Sequence, residues 1–292
     1  MFEGTYTALV TPFSDGEVDV PALRALVREQ VEAGVDGVVP CGSTGESATL
    51  SHGEHETVIE VTIDEAAGRL KVIAGTGSNS TAEAARLTAF AAAAGADGAL
   101  LISPYYNKPT QEGHVVHYQE VAAASDLPII VYNIPGRTGV NMVPETIARL
   151  AEIPTVVALK DAAGSMDQAM RVMELAGDDF TVLSGDDSLT LPLMALGAKG
   201  VIAVTANLLP TELSALVAAA RSGDFLEARR VHRKLLPLMR AMVLETNPIP
   251  VKTAMAMAGK ISGELRLPLT PMGEENKRRL ERVLESYGLV NR

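Results

Sequence analysis

Short apolar runs alternate with stretches of helical periodicity along most of the chain. One local pattern recurs, in which a helical stretch, a glycine and a short polar link precede an apolar run, as in VEAGVDGVVP at 31–40, AAAGADGALLISP at 92–104 and ALGAKGVIAVT at 195–205. Glycine suits the end of a helix because it takes the left-handed conformation freely. A short run that is apolar throughout predicts a strand buried on both faces.

This pattern predicts eight strands separated by helices. The predicted strands are Thr7–Thr11, Gly37–Pro40, Lys71–Ala74, Gly98–Ile102, Pro128–Tyr132, Thr155–Leu159, Thr181–Leu183 and Gly200–Val204. The helical stretches between them include Val20–Ala33, His52–Ala67, Ala82–Ala94, Glu112–Ala124 and Pro144–Ala151. Strands that alternate with helices indicate parallel βαβ units. Eight units in a chain of 292 residues favour a (β/α)8 TIM barrel, with an open doubly wound sheet as the alternative.

The pattern changes after the eighth predicted strand. From about residue 212 to residue 288 only helical periodicity remains, as in Phe225–Leu244, Val251–Gly259 and Glu274–Tyr287. A barrel needs one helix at this point, so the surplus predicts a helical appendage. We therefore expect a barrel over residues 1–223 and a C-terminal helical extension over residues 224–292.

Composition narrows the class of protein. Hydrophobic residues make up 47% of the chain, which is enough for a sizeable core and argues against disorder. The formal net charge of −11 makes nucleic acid and anionic membranes poor partners. A single cysteine, Cys41, excludes an internal disulfide and fits a reducing compartment. Neither a secretory leader nor a membrane span is visible in the sequence, so a cytoplasmic location is expected.

One lysine holds a position suited to catalysis. In TIM barrels the active site lies at the carboxyl ends of the strands, and of the eight lysines only Lys160 directly ends a predicted strand. Apolar strand neighbours would desolvate its amine and lower the pKa, as a nucleophilic lysine requires. Position alone favours equally a structural salt bridge between Lys160 and Asp161 or Asp186.

Neighbouring strand ends and loops add polar groups. Tyr132 ends the fifth predicted strand and could shuttle protons, although a buried structural tyrosine would look the same. Arg137 follows in the next loop and could bind a carboxylate, or could be an ordinary surface arginine. The loop CGSTGES places Ser43 and Thr44 between glycines, a weak indication of a carboxylate cradle.

Two histidines suggest a different kind of site. His52 and His55 lie near the start of a predicted helix, with Glu54 between them. Their spacing does not match the zinc-protease motif, and no further cluster of ligands accompanies them. Surface histidines are therefore the simpler interpretation, and a metal-dependent barrel hydrolase remains an alternative.

Several segments, taken together and in order, resemble the class I pyruvate-dependent aldolases, and among them most closely the dihydrodipicolinate synthase family. They are TALVTPF at 7–13, GSTGES at 42–47, VIAGTGSN at 72–79, SPYYNKP at 103–109, VYNIPGRTG at 131–139, ALKDAAG at 158–164, LSGDD at 183–187 and NPIPVK at 247–252. The resemblance covers nearly the whole chain. It implies a homotetrameric barrel that condenses pyruvate with L-aspartate 4-semialdehyde on the diaminopimelate route to lysine, without a metal or an organic cofactor.

The resemblance also implies residue roles. Lys160 would form an imine with pyruvate, and Tyr132, Ser43 and Tyr106 would form a proton relay, with Tyr106 reaching in from a neighbouring subunit. The implied substrate contacts are Thr44 for the pyruvate carboxylate, Arg137 for the carboxylate of the semialdehyde, and Gly185 and Ile202 through their backbones.

The same resemblance implies a second site and contains one departure. Feedback inhibition by L-lysine would use Ser47, Ala48, His52, His55, Asn79, Glu83 and Tyr105 at a subunit interface. Ser43 stands where the synthases usually have threonine, and GSTGE is more typical of sialic-acid lyases. Serine keeps the hydroxyl but loses the methyl group that restricts χ1, so we expect a relay that works but is less well ordered.

Three alternatives remain open. Within the superfamily, a sialic-acid or keto-deoxy-sugar lyase would cleave a sugar acid and ignore aspartate semialdehyde, whereas Arg137 suits a short aldehyde that carries a carboxylate. A metal-dependent hydrolase would lose activity on chelation. A regulatory binding module would hold a small acid and turn over no aldehyde.

Overall fold

Eight parallel strands close into a barrel in the computed structural model, which describes residues 2–290. Each barrel strand pairs with its neighbours in chain order, and the last pairs with the first. The barrel strands are β1 (Gly4–Ala8), β4 (Gly37–Val39), β5 (Lys71–Gly75), β6 (Gly98–Ile102), β7 (Ile129–Asn133), β8 (Val156–Asp161), β9 (Thr181–Ser184) and β10 (Gly200–Ala203), and a small hairpin of β2 (Phe13–Ser14) and β3 (Glu17–Val18) follows β1. The predicted TIM barrel is confirmed, and the open sheet is wrong.

Helices follow the strands and cover the outside of the barrel. They are α1 (Val20–Ala33), α2 (His52–Ala66), α3 (Thr81–Ala94), α4 (Gln111–Ala122), α5 (Pro135–Thr138), α6 (Pro144–Ala151), α7 (Met166–Ala176), α8 (Thr190–Leu196) and α9 (Pro210–Arg221). Many begin at a side chain that caps the free N–H groups of the first turn. In α2, for example, Ser51 and Glu54 form a reciprocal capping box.

The first strand lies three residues earlier than the predicted Thr7–Thr11. The apolar residues Leu9 and Val10 are buried, but they lie beyond the strand, in the segment that leaves the barrel. The strand instead begins at Gly4, which pairs with Gly200: a Cβ atom at Gly200 would collide with the Gly4 backbone, and one at Gly4 would collide with the Asp36 carboxylate. The sequence analysis misplaced this boundary because Leu9 and Val10 are buried without belonging to a strand.

Three helices form the predicted C-terminal extension. They are α10 (Phe225–Ala241), α11 (Ile249–Met257) and α12 (Glu274–Ser286). Leu235 and Leu238 of α10 and Leu280 of α12 belong to the same buried cluster as the helices around the barrel. The extension therefore shares the barrel's core. The predicted boundary between residues 223 and 224 falls in the turn between α9 and α10, and it stays a prediction. Residues 1, 291 and 292 lie outside the described residues.

Within the described part of the chain, no helix is long and apolar enough to cross a membrane.

Candidate active site

The alternation of side chains along two adjacent strands directs Lys160 and Tyr132 into the barrel. On β8, Ala158 belongs to the apolar cluster inside the barrel and Leu159 to the layer outside it, so Lys160 faces inward. On β7, Ile130 and Tyr132 both belong to the inner cluster. Lys160 and Tyr132 are register partners across the two strands. Both residues thus meet near the carboxyl end of the barrel.

The amine of Lys160 is buried against an aromatic ring. Its side chain is only 6% exposed, and Nζ lies 4.2 Å from the centroid of the Tyr132 ring. The pKa of Lys160 is lowered from 10.5 to about 8: burial is the largest cause, the Asp187 carboxylate opposes it, and the nearby Arg137 adds a smaller lowering effect. An amine with such a pKa is partly neutral at physiological pH, which nucleophilic attack requires.

The structure does not support a salt bridge as the role of Lys160. Among the described residues, no carboxylate lies within ion-pair distance of its amine. Asp161 accepts a hydrogen bond from the backbone N–H of Ala163, and Asp186 accepts two from Ser188. The carboxylates that the sequence offered as partners are therefore bonded to their own local turns.

Asp187 is a charged neighbour of the Lys160 amine that the sequence reasoning missed. Its buried carboxylate accepts hydrogen bonds from the backbone N–H groups of Val204 and Thr205, and it acts on the Lys160 amine through its charge. Burial raises its own pKa. The segment LSGDD at 183–187 contained this residue, but nothing local in it distinguishes the buried aspartate from its exposed neighbour Asp186.

The Ser43 hydroxyl lies beside the Tyr132 phenol. Burial raises the pKa of Tyr132 to about 12, although Arg137 and the Ser43 hydroxyl act in the opposite direction. The phenol is therefore protonated at neutral pH and can donate a proton. Serine at position 43 retains the contact with the phenol.

Thr44 and Arg137 are joined by a residue of the C-terminal extension. The Asn247 amide donates a hydrogen bond to Thr44 Oγ1 at 2.9 Å, and the Asn247 carbonyl accepts one from Arg137 Nη2 at 2.8 Å. Thr44 is buried, whereas Arg137 is exposed in the short helix α5 at the barrel mouth. Asn247 brings together two groups that the sequence predicted separately, and it lies in the quoted motif NPIPVK.

Gly185 and Ile202 line the barrel close to the amine. A Cβ atom at Gly185 would lie 3.0 Å from Lys160 Cγ and 3.0 Å from the Asp161 carbonyl oxygen, so any other residue would crowd the lysine side chain. Ile202 is fully buried in the inner cluster with Tyr132.

Tyr106 does not join Tyr132 and Ser43 within one chain. It is 89% exposed, and its backbone takes a left-handed conformation with φ of 70°. A tyrosine ring presented to this extent suits contact with another chain, and its part in the relay stays a prediction.

One cavity of about 820 Å³ connects most of the predicted residues. Its wall includes Ser43, Tyr132, Arg137 and Tyr106 of the predicted active site. The same wall includes six of the residues predicted to bind lysine: Ser47, Ala48, His52, His55, Glu83 and Tyr105. This wall does not include the other predicted residues, which are Lys160, Thr44, Gly185, Ile202 and Asn79.

The predicted lysine site contains a connected set of polar groups. His52 Nε2 lies 2.7 Å from Glu83 Oε1, and the Ser78 hydroxyl donates to the same carboxylate. These two bonds lower the pKa of Glu83. The Asn79 amide donates to the Tyr105 carbonyl at 3.2 Å, and His55 Nε2 lies 2.7 Å from the Gly75 carbonyl oxygen. Burial lowers the pKa of His55.

The geometry of the two histidines and Glu54 does not fit a metal centre. The Glu54 carboxylate forms an ion pair with Arg266, which lowers its pKa to about 2, while the histidines turn to Glu83 and Gly75. Across residues 2–290 no three histidine, cysteine or acidic side chains converge in a way that could hold a metal ion. The described residues therefore do not provide the metal site that a metal-dependent hydrolase would need.

Comparison with known proteins decides the family. The model of the dihydrodipicolinate synthetase family matches residues 1–287. The chain belongs to this family. It is an enzyme, a lyase of the class I aldolase type, so a binding module without turnover is excluded. The 4-hydroxy-tetrahydrodipicolinate synthase of Syntrophus aciditrophicus is 56% identical over 290 residues, which cover 99% of this chain and 100% of that protein.

Two solved structures of dihydrodipicolinate synthases carry ligands that bear on the site. The chloride-inhibited enzyme from Acinetobacter baumannii, complexed with pyruvate, is 44% identical with a TM-score of 0.97, over 99% of this chain and 100% of that one. The enzyme from Cyanidioschyzon merolae with lysine bound is 41% identical with a TM-score of 0.96, over 99% of both chains. The family fold thus accepts both ligands in relatives of this chain.

Proposed function

We propose that this enzyme condenses pyruvate with L-aspartate 4-semialdehyde to give 4-hydroxy-tetrahydrodipicolinate, in the diaminopimelate pathway to lysine and in the cytoplasm. The observation that carries the proposal is the buried Lys160 amine, whose pKa is about 8 and which lies over the Tyr132 ring without a paired carboxylate. Such an amine suits attack on a ketone. The names of the relatives and the pyruvate complex of one of them supply the substrate class.

The proposed first half-reaction forms an imine. The neutral Lys160 amine adds to the ketone carbon of pyruvate, and Tyr132 supplies the proton with which the carbinolamine oxygen leaves as water. The iminium then withdraws electrons from the methyl group, which loses a proton to the Tyr132 phenolate left by the previous step and becomes an enamine. In this scheme Thr44 holds the pyruvate carboxylate, Ser43 and Tyr106 complete the proton relay, and Gly185 and Ile202 contribute backbone contacts.

The proposed second half-reaction forms the carbon–carbon bond. The enamine carbon attacks the aldehyde carbon of the semialdehyde, whose carboxylate is held by Arg137. The amino group of the semialdehyde then attacks the iminium carbon and displaces Lys160, which closes the ring and frees the amine. The overall change releases one water and needs no oxidant or reductant, so the proposal includes no metal and no organic cofactor.

The test is reduction with borohydride in the presence of pyruvate, followed by peptide mass spectrometry. The expected result is a reduced adduct on the peptide that contains Lys160 and its absence in Lys160→Met. Lys108 also lies near the barrel mouth and serves as an internal control. An adduct on Lys108, or none on either lysine, would falsify the Schiff-base assignment.

The aldehyde is tested separately. With pyruvate saturating, aspartate semialdehyde is expected to be consumed, and a sialic acid or a keto-deoxy-sugar acid is not expected to be cleaved. Arg137→Met should raise the KM for the semialdehyde far more than the KM for pyruvate. Cleavage of a sugar acid at a comparable rate would instead favour the lyase alternative.

We propose in addition that L-lysine inhibits this enzyme at the cluster around Glu83. The contacts of Glu83 with His52 and Ser78, and the lysine complex of one relative, support this site. The lysine ammonium would contact Glu83, Asn79 and Tyr105 would bind its other polar groups, His55 would lie beside its side chain, and Ser47 and Ala48 would complete the wall.

Inhibition is tested with lysine in the millimolar range. We expect a fall in rate for the wild type, a weaker response in His55→Ala, and an unchanged response in the control His232→Ala on α10. If lysine left the wild-type rate unchanged and His55→Ala behaved identically, the regulatory proposal would be wrong.

The proposed assembly is a homotetramer, built as a dimer of dimers. The exposed ring of Tyr106 supports an interface there. Sedimentation analysis at working concentrations tests the assembly, and a monomer with full activity would contradict a role for Tyr106 across an interface.

A further inference from the structure

A buried ion pair joins the C-terminal extension to the loop that carries Ser43 and Thr44. Lys252 of α11 is 0% exposed and Glu46 is 4% exposed, and Lys252 Nζ lies 2.6 Å from Glu46 Oε1. The second carboxylate oxygen accepts a hydrogen bond from the backbone N–H of Arg266 at 3.1 Å. Burying two charges is costly unless the geometry is good and every oxygen has a donor. Both conditions are met here.

The ion pair fixes the conformation of the loop through the backbone of Glu46. Glu46 has a φ of 52°, a left-handed conformation that a non-glycine residue rarely adopts without support. Its N–H donates to the Ser43 carbonyl at 3.3 Å. The neighbouring carbonyl of Gly45 accepts a hydrogen bond from Thr11 Oγ1 at 2.7 Å. A shift of Glu46 would therefore be transmitted to Ser43 within one turn.

The ion pair also lies against an aromatic ring. Lys252 Nζ is 4.2 Å from the centroid of Phe13, and the Arg266 guanidinium is 4.2 Å from the same centroid. Phe13 begins the β2–β3 hairpin that follows β1, so this hairpin, the loop that carries Ser43 and the extension meet at this point. The contact restrains Lys252 independently of its bond to Glu46.

The extension reaches the loop at a second point. Asn247, two residues before α11, donates its amide to Thr44 Oγ1. The hydroxyl proposed to bind the pyruvate carboxylate is therefore oriented by the same segment that supplies Lys252.

We infer, on the basis of the function proposed above, that Glu46 and Lys252 are positioning residues that hold the Ser43–Thr44 loop in the geometry that binds pyruvate. Glu46 is part of the wall of the cavity that also includes Ser43 and Tyr132, but both oxygens of its carboxylate are bound, to the Lys252 ammonium and to the Arg266 N–H, so in this role neither side chain binds the substrate. The C-terminal extension thereby completes the active site of its own barrel. Loss of the pair should weaken pyruvate binding while the Lys160 amine stays in place.

Three variants test this inference. Lys252→Met removes the buried ammonium and leaves the Glu46 carboxylate without it. Glu46→Gln/Lys252→Met removes both charges at similar volume, and such replacements are often tolerated. Lys260→Met is the matched control, because Lys260 also forms an ion pair between the extension and the barrel, with Glu29 of α1, away from the loop.

The readout is the pyruvate concentration that gives half-maximal borohydride-trapped adduct on Lys160, with circular dichroism to confirm folding. We expect this concentration to rise about tenfold or more in Lys252→Met and in the double variant. The maximal extent of trapping should stay close to that of the wild type. Lys260→Met should bind pyruvate as the wild type does.

The possible results separate cleanly. If folded Lys252→Met and the double variant bind pyruvate like the wild type, the inference is overturned. The same rise in Lys260→Met would also overturn it, since any loosening of the extension would then suffice. Failure of the double variant to fold would show that the pair is needed for folding rather than positioning. An absence of adduct in the wild type would instead overturn the proposed function, and this inference with it.

Discussion

Burial of the Lys160 amine costs the protein stability, and the cost can be measured. The pKa of Lys160 falls from 10.5 to about 8, which at about 1.4 kcal/mol per unit corresponds to about 3 kcal/mol at neutral pH. Methionine at this position has a similar length and carries no charge. It loses the contact between the ammonium and the Tyr132 ring, worth about 1 kcal/mol. Lys160→Met should therefore raise the free energy of unfolding by about 2 kcal/mol at pH 7.

The stability that Lys160→Met gains over the wild type should depend on pH in a defined direction. The folded protein releases the Lys160 proton near pH 8, whereas the unfolded chain keeps it until about pH 10.5. Between these values the unfolded state binds more protons, so the wild type becomes more stable as the pH rises. The advantage of Lys160→Met is thus complete below pH 8 and disappears as the pH approaches 10.5.

Urea unfolding at pH 7 and at pH 10, at a fixed protein concentration, measures both quantities. Lys199→Met is the control, because Lys199 is exposed before β10 and its replacement should change stability by less than about 0.5 kcal/mol. A Lys160→Met variant that is less stable than the wild type at pH 7 would refute the reasoning. So would a gain of equal size at both pH values, since the cause would then not be the proton.

Other consequences concern the reaction. The rate of imine formation should rise about tenfold per pH unit below pH 8 and level off above it, as followed by rapid borohydride quenching; a rise that continues to pH 10 would contradict the lowered pKa of Lys160. Gly185→Ala places a Cβ atom 3.0 Å from Lys160 Cγ and should slow imine formation by about tenfold or more in the same assay. An unchanged rate would mean that the backbone shifts enough to accommodate the added methyl group. Tyr106→Phe should lower kcat more than it changes the KM for pyruvate in steady-state assays, and equal changes in both would argue against a relay role.

The local pattern of the sequence was sufficient for most of the fold. Glycine at helix ends and runs of apolar residues indicated the number of barrel strands and the positions of all but the first, because both signals depend on residues close together in the chain. The first strand was misplaced because Leu9 and Val10 are buried outside the sheet. Burial arises from the whole molecule, and periodicity does not distinguish a buried strand from a buried connection.

The site was predictable only in part, for a related reason. Lys160 and Tyr132 could be found because each lies at the end of its own strand. Asp187 and Lys252 could not, because their effect depends on which charge lies opposite them in space. The residue types in LSGDD and NPIPVK gave no indication that one aspartate is buried and one helical lysine forms an ion pair inside the protein.

The charges around the amine also favour an order of events. Arg137 lowers the pKa of both Lys160 and Tyr132, since a cation disfavours a second cation and favours a phenolate. A carboxylate bound to Arg137 would offset this charge, so both pKa values would rise. The Lys160 amine is therefore most readily neutral before the second substrate arrives, when it must attack pyruvate. The Tyr132 phenol holds its proton more firmly afterwards, when the amine is already bonded as an imine and no longer needs to be free.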